Sequence, residues 1–193
     1  DVRLRSMLAE GLRVAGRHDE AKAVLKALVD SFGRKRSPER AEFHYQTARV
    51  AASAGHFDEA FSELEQATKM DMGHQAALHM LANLAQQQGE LDRAERAYRA
   101  LLLLLRRQKN DDEEALGPAE VLFELYRIAQ TRNHEAQKNE LLASAMEAAG
   151  QSALEARRFT RVLHEFEAAG LVRIDKRDVH ILDPKRLSTY QAP

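Results

Sequence analysis

Through the first hundred residues, apolar positions follow helical spacing and are parted by short corners built on one pattern. Three corners stand out: AGRHDEA at 15–21, AGHFDEA at 54–60 and QGELDRA at 88–94. Gly16, Gly55 and Gly89 stand where a helix can end in the left-handed conformation. Asp19, Asp58 and Asp92 follow where a side-chain oxygen can cap the next helix. Ala21, Ala60 and Ala94 come in its first turn, where a small side chain lets two helices approach closely. Twelve residues before each alanine lies another, Ala9, Ala48 and Ala82. Four residues after each come Leu25, Leu64 and Tyr98, and seven after come Leu28, Ala67 and Leu101. The copies are 39 and 34 residues apart, and the loop GRKRSP at 33–38 accounts for the longer step.

Downstream the pattern loosens. Pro118 suits a first helical position, and Leu122, Leu125, Tyr126 and Ala129 form one apolar stripe, followed by a second helix expected to end at Gly150. The run RRQKNDDEEALG at 106–117, basic and then acidic, predicts a solvated, mobile loop. Residues 157–169 predict an amphipathic helix with Phe159, Val162, Leu163 and Phe166 on its apolar side, stopped by Gly170. The runs LVRI and VHIL, joined by DKRD, predict a tight β-hairpin, and Asp183–Pro184 starts a last short helix.

The registered corners and small residues resemble the tetratricopeptide repeat, whose period is about 34 residues. The resemblance covers about residues 2–105, although the family's early tryptophan and closing proline are missing. It implies a mainly all-α fold, a right-handed solenoid of helical hairpins. The expected pairs span about 2–31, 41–70, 75–107 and 118–149, so that 1–149 forms the repeat domain. Residues 150–193 form a winged-helix-like segment with one short β-hairpin. That segment is similar to the end of the DNA-binding domain of catabolite-activator-type transcription regulators, at Thr160, Arg161, Leu163, Glu167, Gly170, Leu171, Val179, Ile181 and Asp183. Upstream the likeness fails, and the cyclic-nucleotide domain of those regulators has no counterpart here.

Composition narrows the function. The 193 residues carry 29 Lys and Arg against 30 Asp and Glu, a formal charge of −1, which does not make nucleic acid the default partner. There is no cysteine, which removes disulfides, thiolate metal sites and cysteine nucleophiles, and fits a cytoplasmic location. The longest apolar run, Ala100 to Leu105, is too short to span a membrane. The chain opens at Asp1 without a methionine, which leaves its upstream context open.

No catalytic constellation emerges. The eight histidines include no i,i+4 pair with an intervening glutamate, and there is no glycine-rich phosphate loop, nucleophile elbow or dinucleotide fingerprint. No enzyme, metal site or small-molecule cofactor is expected.

In the repeat family the first helix of each pair lines a concave groove. The matching positions here are Tyr45, Arg49, Ala52, His79, Asn83 and Gln86, which implies a protein or peptide partner. On the winged segment, Arg157, Arg158, Thr160 and Arg161 on the helix and Lys176 and Arg177 at the wing tip are candidate DNA contacts. Against DNA, residues 151–193 carry eight basic and six acidic side chains, a net of only +2. Two functions therefore stand. One is a non-catalytic adaptor whose winged segment caps the stack or docks a second protein. The other is a DNA-binding transcription regulator with the repeats as sensor or oligomerisation module.

Overall fold

Each corner glycine takes the conformation its position demands: φ is 73° at Gly16, 77° at Gly55 and 76° at Gly89, and each ends a helix. The computed structural model describes residues 1–33, 35–108, 116–151, 153–175 and 178–189. These form α1 (Val2–Val14), α2 (His18–Ser31), α3 (Pro38–Ser53), α4 (Phe57–Met70), α5 (Gln75–Gln87), α6 (Leu91–Arg107), α7 (Pro118–Thr131), α8 (Glu135–Gln151) and α9 (Ala153–Ala168). A two-stranded hairpin, β1 (Val172–Asp175) and β2 (Asp178–Ile181), and a short α10 (Pro184–Thr189) follow. The protein is mainly helical, as the pattern predicts, with one antiparallel hairpin near its C-terminal end. It divides into two units, Asp1–Ala97 and Tyr98–Pro193.

In the first unit the recurring alanines sit at the helix crossings. Ala9, Ala21, Ala48, Ala60, Ala82 and Ala94 are all buried, and Ala21, Ala48, Ala60, Ala82 and Ala94 have no exposed surface. A methyl group at each crossing lets the backbones close in, and the leucines beyond fill the layer. Leu12, Leu25, Leu28, Phe43 and Val50 join Ala9 and Ala21 in one core that runs from α1 through α2 to α3. Helix starts differ from expectation. The caps of α2 and α4 are Arg17 and His56, neither with a side-chain hydrogen bond, whereas Asp19 and Asp58 lie inside the first turn. There the carboxylates act on the helix dipole and not as caps. Ser37 and His74 are the side-chain caps, of α3 and α5 respectively.

In the second unit, α7 supplies Phe123 and Tyr126 to a core completed by Val162 and Phe166 of α9, Leu171, Val172 of β1 and Leu187 of α10. Phe123 meets Phe166 edge-on at 5.5 Å between ring centroids. The C-terminal segment is thus part of this core. Arg127, 5% exposed, fixes α10 by donating from Nε to the Leu187 carbonyl at 3.0 Å, while its Nη1 pairs with Glu124 at 2.8 Å. In the hairpin Val172 faces Ile181 and Ile174 faces Val179. Gly170, at φ 68°, ends α9 as predicted.

Two boundaries differ from the sequence expectation. Gly150 lies within α8, which continues to Gln151, and α9 begins at Ala153, four residues earlier than expected. Alanine, leucine and glutamate flank that glycine on both sides, and their helix preference outweighs its single cost of about 1 kcal/mol. Of the loop expected at 106–117, Arg106 and Arg107 continue α6 and residues 109–115 lie outside the described residues, as do Lys176 and Arg177 of the DKRD turn, whose Asp175 and Asp178 pair across the hairpin.

Candidate functional site

The first unit holds a cavity of about 370 Å³ walled by α3, α5 and the start of α4. Tyr45 and Ala52 come from α3, Phe57 from the first position of α4, and Ala76, His79, Met80, Asn83, Leu84 and Gln87 from α5. The helical period explains the α5 wall. His79, Asn83 and Gln87 recur every four residues and make a polar ridge, with Ala76, Met80 and Leu84 as the apolar strip beside it. Asn83 Nδ2 and His79 Nε2 lie 3.2 Å apart, so the ridge is internally bonded. The lining contains no lysine, arginine, aspartate or glutamate.

Tyr45 is steadied from two sides. Its ring meets His74 at 5.2 Å between centroids, tilted by 50°, and the Arg49 guanidinium sits 5.9 Å from its centre. His74 in turn has a defined tautomer. Its Nδ1 accepts the Ala77 N–H at 3.2 Å, so Nε2 carries the proton that points at Glu42, 3.1 Å away. The hydrogen bond from His74 keeps the Glu42 carboxyl below its ordinary range against the opposing effect of burial, and Gln46 adds a smaller hydrogen bond in the same direction. Arg49 is spoken for: its Nη2 reaches Glu10 Oε1 at 2.9 Å, and Glu10 also takes two hydrogen bonds from Arg13. The Arg13 hydrogen bond, with Arg49 adding its charge and burial opposing, holds Glu10 at about 2.

Of the six groove residues expected from the sequence, Tyr45, Ala52, His79 and Asn83 line the cavity. Arg49 stands beside it, engaged with Glu10, and the half-buried Gln86 is on α5 outside the lining. Sequence reasoning missed Phe57, Ala76, Met80, Leu84 and Gln87. Ala76, Met80 and Gln87 were recoverable from His79 and Asn83 by the helical period. Phe57 belongs to a second helix, and a mapping confined to first helices passes over it.

The six candidate DNA contacts fare differently. Arg158 is 3% exposed, and its guanidinium and stem pack over Gly117, where even a Cβ would come within 2.4 Å of Nη1. Arg161 pairs with Glu120, which also caps the N–H of Gly117 at 3.1 Å. Thr160 bonds back to the Ala156 carbonyl at 2.9 Å. Arg157 is exposed, while Lys176 and Arg177 lie outside the described residues. On α9, Arg158 is thus a packing residue and Arg161 an ion-pair partner.

Among the described residues no group of histidine, aspartate or glutamate side chains is arranged to hold a metal ion. No described helix is long and apolar enough to cross a membrane.

The tetratricopeptide repeat family model matches residues 51–116. No curated protein sequence matches the chain. Among solved structures, the chain is similar to a Podosopora anserina protein described as a kinesin light chain with nearly identical TPR-like repeats. The TM-score is 0.62 at 20% identity, over 96% of this chain and 90% of that one. A point variant of the same protein gives 0.63 at 19% identity over the same shares. The pilF protein of Pseudomonas aeruginosa gives 0.54 at 15% identity, over 83% of this chain and 66% of that one. At such identities these likenesses speak for the fold alone, and with the family match they support tetratricopeptide-type repeats. They lend no support to a winged helix at residues 160–187.

Proposed function

We propose that the protein is a non-catalytic adaptor whose first unit seats a side chain of a partner peptide in the cavity between α3 and α5. The observation that carries this reading is the lining itself. Tyr45, Phe57, Met80 and Leu84 offer an apolar seat, while His79, Asn83 and Gln87 run alongside as a ladder of hydrogen-bonding groups. A peptide backbone needs such a ladder, and an apolar anchor residue needs such a seat. Because no charged side chain lines the cavity, the favoured anchor is a large uncharged residue and not a chain-terminal carboxylate. Arg49, a basic residue near enough to form a carboxylate clamp, is already held by Glu10. The C-terminal segment, from α9 through α10, serves as the closing cap of the second unit, and the reading divides the chain into repeats over 1–149 and a cap over 150–193. A reducing compartment such as the cytoplasm suits a chain without cysteine.

The test is a peptide library screened against the full chain, with binding measured by calorimetry. Peptides with an aromatic or long aliphatic anchor bind, and Met80→Glu weakens them by at least about tenfold, since a charge would enter an apolar seat. Asn83→Ala weakens them less. Binders whose affinity ignores both substitutions, with unchanged melting curves, would remove the cavity from the account.

A further inference from the structure

Arg49 belongs to the cavity by position and not by contact. Tyr45, Arg49 and Ala52 follow one another on α3 at the spacing of a single helix face, and the outer two line the cavity. The guanidinium between them turns aside over the Tyr45 ring and donates from Nη2 to Glu10 Oε1 at 2.9 Å. Glu10 stands on α1, outside the lining. Arg13, one turn further along α1, grips both of its oxygens, from Nε at 2.9 Å and from Nη2 at 2.8 Å. Arg13 is itself tied to α3, where its Nη1 donates to Ser53 Oγ at 3.1 Å, and Ser6 Oγ donates to Gln46 Oε1 at 2.9 Å on the same seam. The carboxylate is thus fixed from its own helix and presented to Arg49. Held at about 2, chiefly by the Arg13 hydrogen bond, it stays ionised at any pH near neutrality.

We propose that Glu10 is a specificity-determining residue of the cavity: by holding Arg49 it denies an acidic peptide its counter-ion and directs the site to uncharged anchors. The inference rests on the peptide-binding reading of the cavity given above. Arg13 and Arg49 bring two positive charges to this rim, and Glu10 and Glu42, the latter drawn down in part by the charge of Arg49, bring two negative ones. A carboxylate arriving beside the anchor meets no net attraction from these four side chains. To pair with Arg49 it must displace Glu10, which exchanges one carboxylate for another and leaves the displaced charge close by. Selectivity here comes from an occupied partner as much as from the apolar seat. Glu42 is a poor substitute holder of Arg49, because its oxygens already accept from Gln46 Nε2 at 2.8 Å and from His74 Nε2 at 3.1 Å. Removing the charge of Glu10 therefore leaves a guanidinium beside Tyr45, on the face that lines the cavity, with its donor released.

The test uses one short peptide in two forms, acetyl-glycyl-seryl-phenylalanine as the amide and as the free acid, titrated into the full chain and followed by NMR. The two forms differ by a single charge next to the anchor, and binding is weak, roughly millimolar. The natural chain binds the amide at least as tightly as the acid. Glu10→Gln raises the ratio of acid to amide affinity by at least about threefold, the scale of a partly exposed ion pair. Adding Arg49→Gln to Glu10→Gln returns the ratio to that of the natural chain. Adding Arg13→Gln instead, at the same net charge, keeps the raised ratio, so the pair of double variants separates Arg49 from a general change of field. A ratio that Glu10→Gln leaves unmoved, with both forms weakened alike, would show a structural role for Glu10 and overturn the inference. So would a raised ratio that survives Arg49→Gln, or a natural chain that prefers the acid. A natural chain that binds neither form removes the cavity reading and this inference with it, whereas amide binding with an unmoved ratio removes this inference alone.

Discussion

The smallest side chains in this protein carry some of its strictest demands. Ala60 and Ala94 have no exposed surface and sit where two helices pass closely, so Ala60→Glu or Ala94→Glu puts a charge in a space made for a methyl group. An unpaired buried carboxylate costs several kcal/mol, and each variant is expected to lose about 3 kcal/mol or more in urea denaturation. An unchanged midpoint would contradict the crossing geometry. Gly117 makes a comparable demand for another reason. Its backbone is not left-handed; Arg158 lies where its Cβ would be, with Cδ only 2.6 Å from that point. Gly117→Ala forces a side chain with almost no free surface to move, and a loss of about 1–2 kcal/mol is expected in thermal or urea unfolding. Gly117→Ala in an Arg158→Ala background should cost much less, because the obstacle is gone.

At the scale of elements, the corners were legible in the sequence and their electrostatics were not. Gly16, Gly55 and Gly89 announce helix ends because only glycine takes that conformation cheaply, and the paired alanines announce crossings because nothing larger fits. The aspartates after the corners looked like caps because Asp is a good cap, yet the chain turns two residues earlier, at Arg17 and His56. Gly150 looked like a stop, but a glycine stops a helix only when the chain beyond it leaves the helical path. The pairing of α1 with α3 was invisible, since Glu10 and Arg49 are 39 residues apart and nothing local marks them as partners. It leaves a pH signature. Glu10 is held at about 2 in the folded protein against an ordinary 4.5, so its ionised form adds stability above pH 4.5 that is lost as pH falls toward 2. The carboxylate is partly exposed, which limits the contribution to about 1 kcal/mol or less. Glu10→Gln should therefore melt slightly lower than the natural chain at pH 7, and the two curves should converge as pH drops through that window. A gap that persists at pH 2 would mean the carboxylate acts through something other than its charge.

For the molecule as a whole, the question left by the sequence was whether its C-terminal segment meets DNA or closes a helical stack. The pattern from Thr160 to Asp183 is that of a helix followed by a hairpin, and the structure has both, but local sequence says little about which side of the helix stays exposed. Val162 and Phe166 turn inward, and Arg158 turns inward with them, because α9 packs on α7 along the face those residues share. Arg161 then meets Glu120 at the rim. Of the three arginines expected to face phosphates on α9, that leaves the exposed Arg157, on a chain whose formal charge is −1. Each neutralised phosphate steepens the salt dependence of binding by about one power of the salt concentration, so a single contact from α9 adds little affinity and a shallow slope. The expected result of a gel-shift titration is no retained complex at low salt. Arg158→Ala should instead lower the melting midpoint, because a buried stem and guanidinium lose their packing. A salt-sensitive shift that weakens on Arg161→Ala would reverse this conclusion, since it would require the Arg161–Glu120 pair to open in favour of a phosphate.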